Sequence, residues 1–178
     1  MLIEQVSLLD DLLNAHASEI GGDLTAYTNH TYRVLNFCVA LAGRHTDVVE
    51  KVAIAAAFHD IGIWTAGTFD YLGPSMAAAS TYLTQSGRGA WLREIRQTIL
   101  DHHKVRRYRE YPDWLVEPFR RADWIDVTLG VRRFGLPRSL VREAYAAWPS
   151  AGFHGRLVQL SLGRLRRHPT SPLPMVRW

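Results

Sequence analysis

Leu2, Val6, Leu9, Leu12 and Leu13 recur at three- and four-residue spacing, which predicts an amphipathic helix over residues 2–17. Gly21-Gly22 breaks it. A second helix, residues 25–42, carries His30, Val34, Phe37 and Leu41 at i, i+4, i+7 and i+11 and stops near Gly43. Asp47 and Glu50 read as a capping pair that opens a third helix, which ends near His59. Gly62, Gly67, Gly73 and Pro74 mark a loop. Further helices are expected over residues 74–84, 88–103, 137–148 and 155–167. Another follows Tyr111-Pro112 and ends near Gly130, with Pro118 in its first turn or at a kink. Alternating strand patterns are almost absent. The expected fold is all-α: one compact helical domain over residues 1–168, with its chemistry in residues 25–130. A proline-rich tail, residues 169–178, is expected to be extended.

Composition narrows the class. With 178 residues, 47% hydrophobic and 21% charged, the chain suits one globular domain, not a disordered or collagen-like one. Cys38 is the single cysteine, so no internal disulfide forms, and a reducing cytoplasm is the expected setting. The start MLIEQVSLLDDLL has acids where a signal peptide is basic, and no apolar run approaches the ~20 residues of a membrane span. The net charge is +4, and Lys51 and Lys104 are the only lysines among 21 basic residues. Such an arginine excess suits a solvated surface, an anionic substrate or, less favoured, nucleic acid.

The informative polar residues lie on stripes that ought to be apolar. His30 shares the inward face of its helix. His59 lies in line with Val49, Val52, Ala53 and Ala56, and Asp60 follows it directly. Leu92, Ile95 and Ile99 lead to His102 and His103, and Phe119 and Ala122 lead to Asp123 and Asp126. Imidazoles and carboxylates aimed at one interior are costly unless something pairs with them. A divalent transition metal (Fe, Mn, Zn, Ni or Co) satisfies all of them together.

The segments TNHTYRVLNF, AFHDIGIW and RRADWID together resemble the three stations of the HD-domain superfamily of metal-dependent phosphohydrolases, over roughly residues 27–130. The resemblance implies an all-α bundle and one metal held by His30, His59, Asp60 and Asp123, with Asp126 the lower-ranked neighbour. ILDHHK resembles the His-bearing helix of binuclear members. Those members have a further His between the His-Asp pair and this helix, where Ser75 stands here, so one tightly held metal is expected. The motifs of the cyclic-di-GMP phosphodiesterases and guanosine-tetraphosphate hydrolases are missing.

The expected function is therefore hydrolysis of a nucleotide or small phosphorylated metabolite. His102 or His103 would act as general acid or base, and Lys104, Arg106 and Arg107 would clamp the phosphate. Trp64 and Tyr71 are candidates for stacking on a base. Two alternatives stand beside this: a non-phosphatase enzyme resembling cyanamide hydratases or iron-dependent oxygenases, and a binding protein with a residual metal site. The residues do not decide the oligomeric state.

Overall fold

The computed structural model describes residues 1–178. The chain folds into helices α1 (Ser7–Ala15), α2 (Ala17–Ile20), α3 (Leu24–Ala42), α4 (Thr46–Phe58), α5 (Gly62–Thr65), α6 (Leu72–Gln85), α7 (Leu92–Asp101), α8 (Val116–Val127), α9 (Arg138–Ala147) and α10 (Phe153–Arg167). Two 3-10 turns precede α3 and α7. The fold is all-α, as the periodicity predicts, and its one β contact is an isolated bridge between Lys104 and Arg177. No helix is long and apolar enough to cross a membrane.

Helix α3 is the axis. It packs against α4, α8, α9 and α10, and twelve of its nineteen residues are buried. Those twelve include Arg33 and Asn36, and each has partners for its polar atoms. Helix α4 is buried from Val52 through Phe58, and its alanines at 53, 55, 56 and 57 let α3, α6 and α7 close around it.

Three local expectations are corrected. The first helix starts at Ser7, because Asn36 holds residue 3: its Oδ1 accepts from Ile3 N–H at 2.7 Å and its Nδ2 donates to Ile3 O at 3.1 Å. Asp47 makes no capping bond, since α4 begins at Thr46 after His45, and Asp47 sits in the first turn beside the helix dipole. Helix α7 stops at Asp101, leaving His102 and His103 in the turn beyond it. Pro118 is the third residue of α8, where its missing N–H costs no intrahelical bond, and it does not break the helix.

The tail turns back onto the body. Val105 N–H donates to Arg177 O at 2.7 Å. Met175 is buried in a small cluster with Ile63, Phe69, Tyr71 and Leu72. The same corner depends on Gly62, where an added Cβ would lie 2.6 Å from Tyr71 O. Gly62 N–H donates to Ser75 Oγ at 3.0 Å, which ties the His-Asp segment to α6.

Gly62→Ala should therefore push Tyr71 and the start of α6 away from the His-Asp turn. Overpacking of this kind costs about 1–3 kcal/mol. Urea denaturation of the metal-free protein measures it, and a loss below about 0.5 kcal/mol would show that the corner yields freely.

Candidate metal centre

Helix ends place the histidines. His59 follows the last turn of α4, and its Nδ1–H donates to Ala56 O at 2.8 Å. His102 follows the last turn of α7 and repeats the device, its Nδ1–H donating to Ile99 O at 2.7 Å. Each ring thus uses one of the carbonyls that a helix C-terminus leaves unpaired, and is fixed in orientation by it. His30, in the middle of α3, donates its Nδ1–H to Asp126 Oδ2 at 2.6 Å. In the neutral rings all three Nε2 lone pairs then face one another's neighbourhood.

The inward atoms converge. His30 Nε2 lies 2.9 Å from His59 Nε2. Asp60 Oδ2 is 3.9 and 3.4 Å from these two nitrogens, and Asp123 Oδ1 is 3.7 and 3.9 Å from them. His30, His59, Asp60, His102 and Asp123 are all buried. Asp60 Oδ1 and both Asp123 oxygens are buried without a hydrogen-bond partner. Such orphaned carboxylate atoms are expensive unless a cation meets them. Donors bound at about 2.0–2.2 Å stand roughly 3–3.5 Å apart around a metal, close to the separations found here. The residues fit a divalent cation on geometry, on donor type and on the orphaned oxygens.

Asp60 also belongs to a second group. His102 Nε2 lies 3.4 Å from Asp60 Oδ1, and Asp60, His102 and His103 form a triad of metal-ligating type. Helix α6 offers no imidazole to it. Ser75 is occupied by Gly62 N–H, and one turn earlier Tyr71 sends its hydroxyl to His103 Nε2, 3.1 Å, and towards His102 Nε2, 3.5 Å.

Electrostatics follow from burial and crowding. Burial pushes His59 down to about 4, so its ring is neutral at physiological pH. Burial raises Asp60, but the surrounding imidazoles of His59, His102 and His103, with a hydrogen bond from His102, outweigh it and hold the carboxyl well below the usual range. Asp123 is lowered in the same way, against its burial, chiefly by His103. His102 is raised, because Asp60 and Asp123 overcome the effect of burial. Tyr71 is pushed well up by burial and by both carboxylates, and stays a phenol that donates.

Asp123 and Asp126, three residues apart on α8, have different surroundings. Every oxygen of Asp126 is engaged. Arg33 donates from Nε to Oδ1 at 2.5 Å and from its terminal nitrogen to Oδ2 at 2.9 Å, and Tyr145 O–H donates to Oδ1 at 2.9 Å. Asp126 orients His30 from outside the cluster, in the carboxylate–histidine arrangement that fixes a ligand's tautomer. Asp123 has no arginine or hydroxyl on it: Oδ2 meets only His103 Nδ1, at 3.1 Å, and Oδ1 lies 3.7 and 3.9 Å from the His30 and His59 Nε2 atoms.

His103 is the exposed member of the cluster. Its side chain is 15% exposed, and with Tyr71 it lines a cavity of about 520 Å³. Its Nδ1 is 3.1 Å from Asp123 Oδ2. The structure does not bring Lys104, Arg106 or Arg107 to this cavity. Lys104 Nζ donates to Trp178 O at 3.0 Å, Arg106 is exposed, and Arg107 lines a separate hollow with Tyr108, Arg109 and Arg121. Trp64 donates to Asp23 and packs on Tyr27, away from the cavity. Sequence reasoning missed the Tyr71 hydroxyl, Arg33 and Tyr145. Arg33, three residues after His30 on one helix face, was the readable signal among them.

A buried His/Asp cluster inside an all-helical bundle defines a class of metal-dependent hydrolases. The HD domain family model matches residues 27–128, more than half of the chain, and the protein belongs to that family. No curated protein and no solved structure matches the chain.

Two substitutions separate the two aspartates. Asp126→Asn leaves the buried Arg33 without its counter-ion and should cost about 3–5 kcal/mol in the metal-free protein. Asp123→Asn removes a charge whose one close partner is His103 Nδ1, 3.1 Å away, and should change metal-free stability by less than about 1 kcal/mol while abolishing metal binding. Acid titration adds a second readout. Burial raises the Asp126 carboxyl, but His30 and Arg33 outweigh it and hold it well below the usual range. A carboxyl so depressed stabilises the fold above about pH 4, and that stability is lost as pH falls below it. Asp126→Asn should flatten this acid limb. Equal stability losses in both variants would contradict the division of roles.

Proposed function

We propose that the protein is a metal-dependent phosphohydrolase acting on a small phosphorylated substrate. The observation that carries the reading is the buried donor set His30, His59, Asp60 and Asp123, beside an imidazole, His103, that opens to a cavity. Those four residues would hold one divalent transition metal, Fe, Mn, Zn, Ni or Co. Bound there, it would supply a Lewis acid for the phosphoryl oxygen and a more acidic water.

The chain's own contributions follow from the contacts. His103 faces the cavity and gives or takes the proton at Nε2, where Tyr71 O–H now donates. Tyr71 and Asp123 fix the ring from its two sides. His102, buried and with Nδ1 tied to Ile99 O, faces Asp60 Oδ1 at 3.4 Å and does not line the cavity, so it stays outside the proton-transfer role given to His103. The phosphate clamp expected of Lys104, Arg106 and Arg107 is not part of this reading. That gap favours one alternative, hydration of a neutral substrate such as a nitrile, since no lysine or arginine lines the cavity.

The test is metal content and turnover measured together. Protein purified without chelator should carry about one tightly held metal, and Asp60→Ala should lose both metal and activity. His103→Ala should keep the metal and lose roughly 10²–10⁴ in turnover, the usual worth of a general acid or base. Two fully occupied metals, with His103→Ala losing one, would assign His103 to the second triad. Inert phosphoesters together with nitrile turnover would select the hydratase reading.

A further inference from the structure

The cavity beside His103 is polarised end to end. Eleven of its fourteen lining residues are hydrophobic, and none is lysine, arginine, aspartate or glutamate. The polar atoms along its walls are already engaged. Ser161 O–H donates to Leu157 O at 2.8 Å. His154 Nδ1 pairs with Ser150 Oγ at 2.8 Å, and its Nε2 pairs with Asp126 O at 2.9 Å. Trp124 Nε1–H donates to Lys104 O at 3.2 Å. The other polar side chains of the lining, His103 and Tyr71, sit together at one end, against the His/Asp cluster, and pair with each other at 3.1 Å.

The opposite end reaches solvent through apolar side chains. Leu129, Val158, Leu162 and Leu173 line the cavity and are also 60%, 59%, 50% and 46% exposed. An apolar path thus runs from the cluster to the surface, between α10, the end of α8 and the tail. No arginine of these segments lines the cavity: Arg156 pairs with Asp23 at 3.1 Å, Arg177 with Asp101 at 3.7 Å, Arg164 donates to Ser171 O at 3.3 Å, and Arg166 and Arg167 line a separate hollow.

A nucleotide does not suit such a site. Its base edges and sugar hydroxyls need hydrogen-bond partners, and groups left unpaired on burial are costly. A di- or triphosphate needs several cationic or amide donors. We infer that the substrate is an amphiphilic phosphomonoester, with one phosphate at the His103–Tyr71 end and an alkyl, prenyl or aryl group along the wall, emerging between Leu129, Val158, Leu162 and Leu173. The inference rests on the phosphohydrolase reading for its head group and on the cavity alone for its apolar part. The cavity volume of about 520 Å³ lies in the range of small-molecule sites.

The experiment uses metal-loaded protein and two series. One is hydrolysis of alkyl phosphates from two to ten carbons, compared with 5′-AMP and glycerol phosphate. The other is calorimetric binding of alkylphosphonates of the same lengths, which cannot be hydrolysed. In both, each buried methylene should add roughly fourfold, in kcat/KM and in affinity, until the chain reaches the rim. Decyl phosphate should exceed 5′-AMP by at least about 100-fold on that scale. Val158 and Leu162 are half-exposed, so Val158→Asp/Leu162→Asp should fold and should collapse the chain-length slope. Hydrolysis that favours 5′-AMP or glycerol phosphate would overturn the inference and leave the phosphohydrolase standing. Inert phosphates with phosphonate binding that still tightens with length would overturn the phosphohydrolase and the head group, and sustain the apolar part. Binding indifferent to length, in wild type and variant alike, would overturn the inference entirely.

Discussion

His30 and His59 face each other at 2.9 Å through Nε2 atoms that, in the neutral rings, both carry lone pairs. Neither ring can turn away. His59 is held by Ala56 O, and His30 by an aspartate already committed to Arg33. A proton on one of the two nitrogens would make this contact a hydrogen bond; without one, two lone pairs meet in a dry interior, and a cation between them would turn the repulsion into two bonds. Much of the surrounding structure serves to hold the rings in this position. Phe153 stacks on His30 at 4.0 Å between ring centres, Phe119 abuts His59 edge-on, and α8 packs along α3 to bring Asp123 opposite.

The same constraint explains the charge inside the bundle. Arg33 is fully buried, which is costly for a guanidinium unless every donor is used. Its nitrogens reach both oxygens of Asp126 and the carbonyls of Trp148 and Pro149, and its plane lies 4.7 Å over the Tyr145 ring. This network joins α3, α8 and the α9–α10 connection around one carboxylate. A rigid outer shell lets an inner one keep unpaired oxygens. The polar core is thus divided: Asp126 is satisfied by protein, and Asp123 is left for something the protein does not itself supply.

Much of this was legible because the ligands occupy helix-periodic positions. His30, His59, Asp60 and Asp123 lie where apolar residues belong, and period alone puts them on inward faces. The choice between Asp123 and Asp126 was not legible, since both fall on one face of α8 and only the position of Arg33 separates them. Tyr71 reads as a stacking candidate, and the contact of its hydroxyl with His103 was hidden for another reason. Tyr71 precedes α6 at the end of an irregular loop, and its hydroxyl arrives beside His103 only because Gly62 admits Tyr71 O so closely. Residues 2–6 carry apolar spacing that suits a helix, yet an asparagine 33 residues away claims the backbone of Ile3. Long-range pairings of this kind leave no local signature.

The basic residues after His103 show why proximity in sequence misleads near a site. Once α7 ends, the chain turns, and Val105 joins the tail through Arg177 O, which carries the next residues away from the cluster. Lys104 is drawn to the last residue of the chain, and Arg106 and Arg107 face outward or into another hollow. The arginine excess is thus spent on the fold and the surface: Arg120 and Arg121 on Glu117, Arg156 on Asp23, Arg33 on Asp126. Net charge is a property of the whole surface, whereas a substrate meets only the few groups that line its cavity. Here those groups are apolar along the walls and imidazole and phenol at the end. On the proposed reading, the positive charge that an anionic head group needs would come from a cation held by the His/Asp cluster.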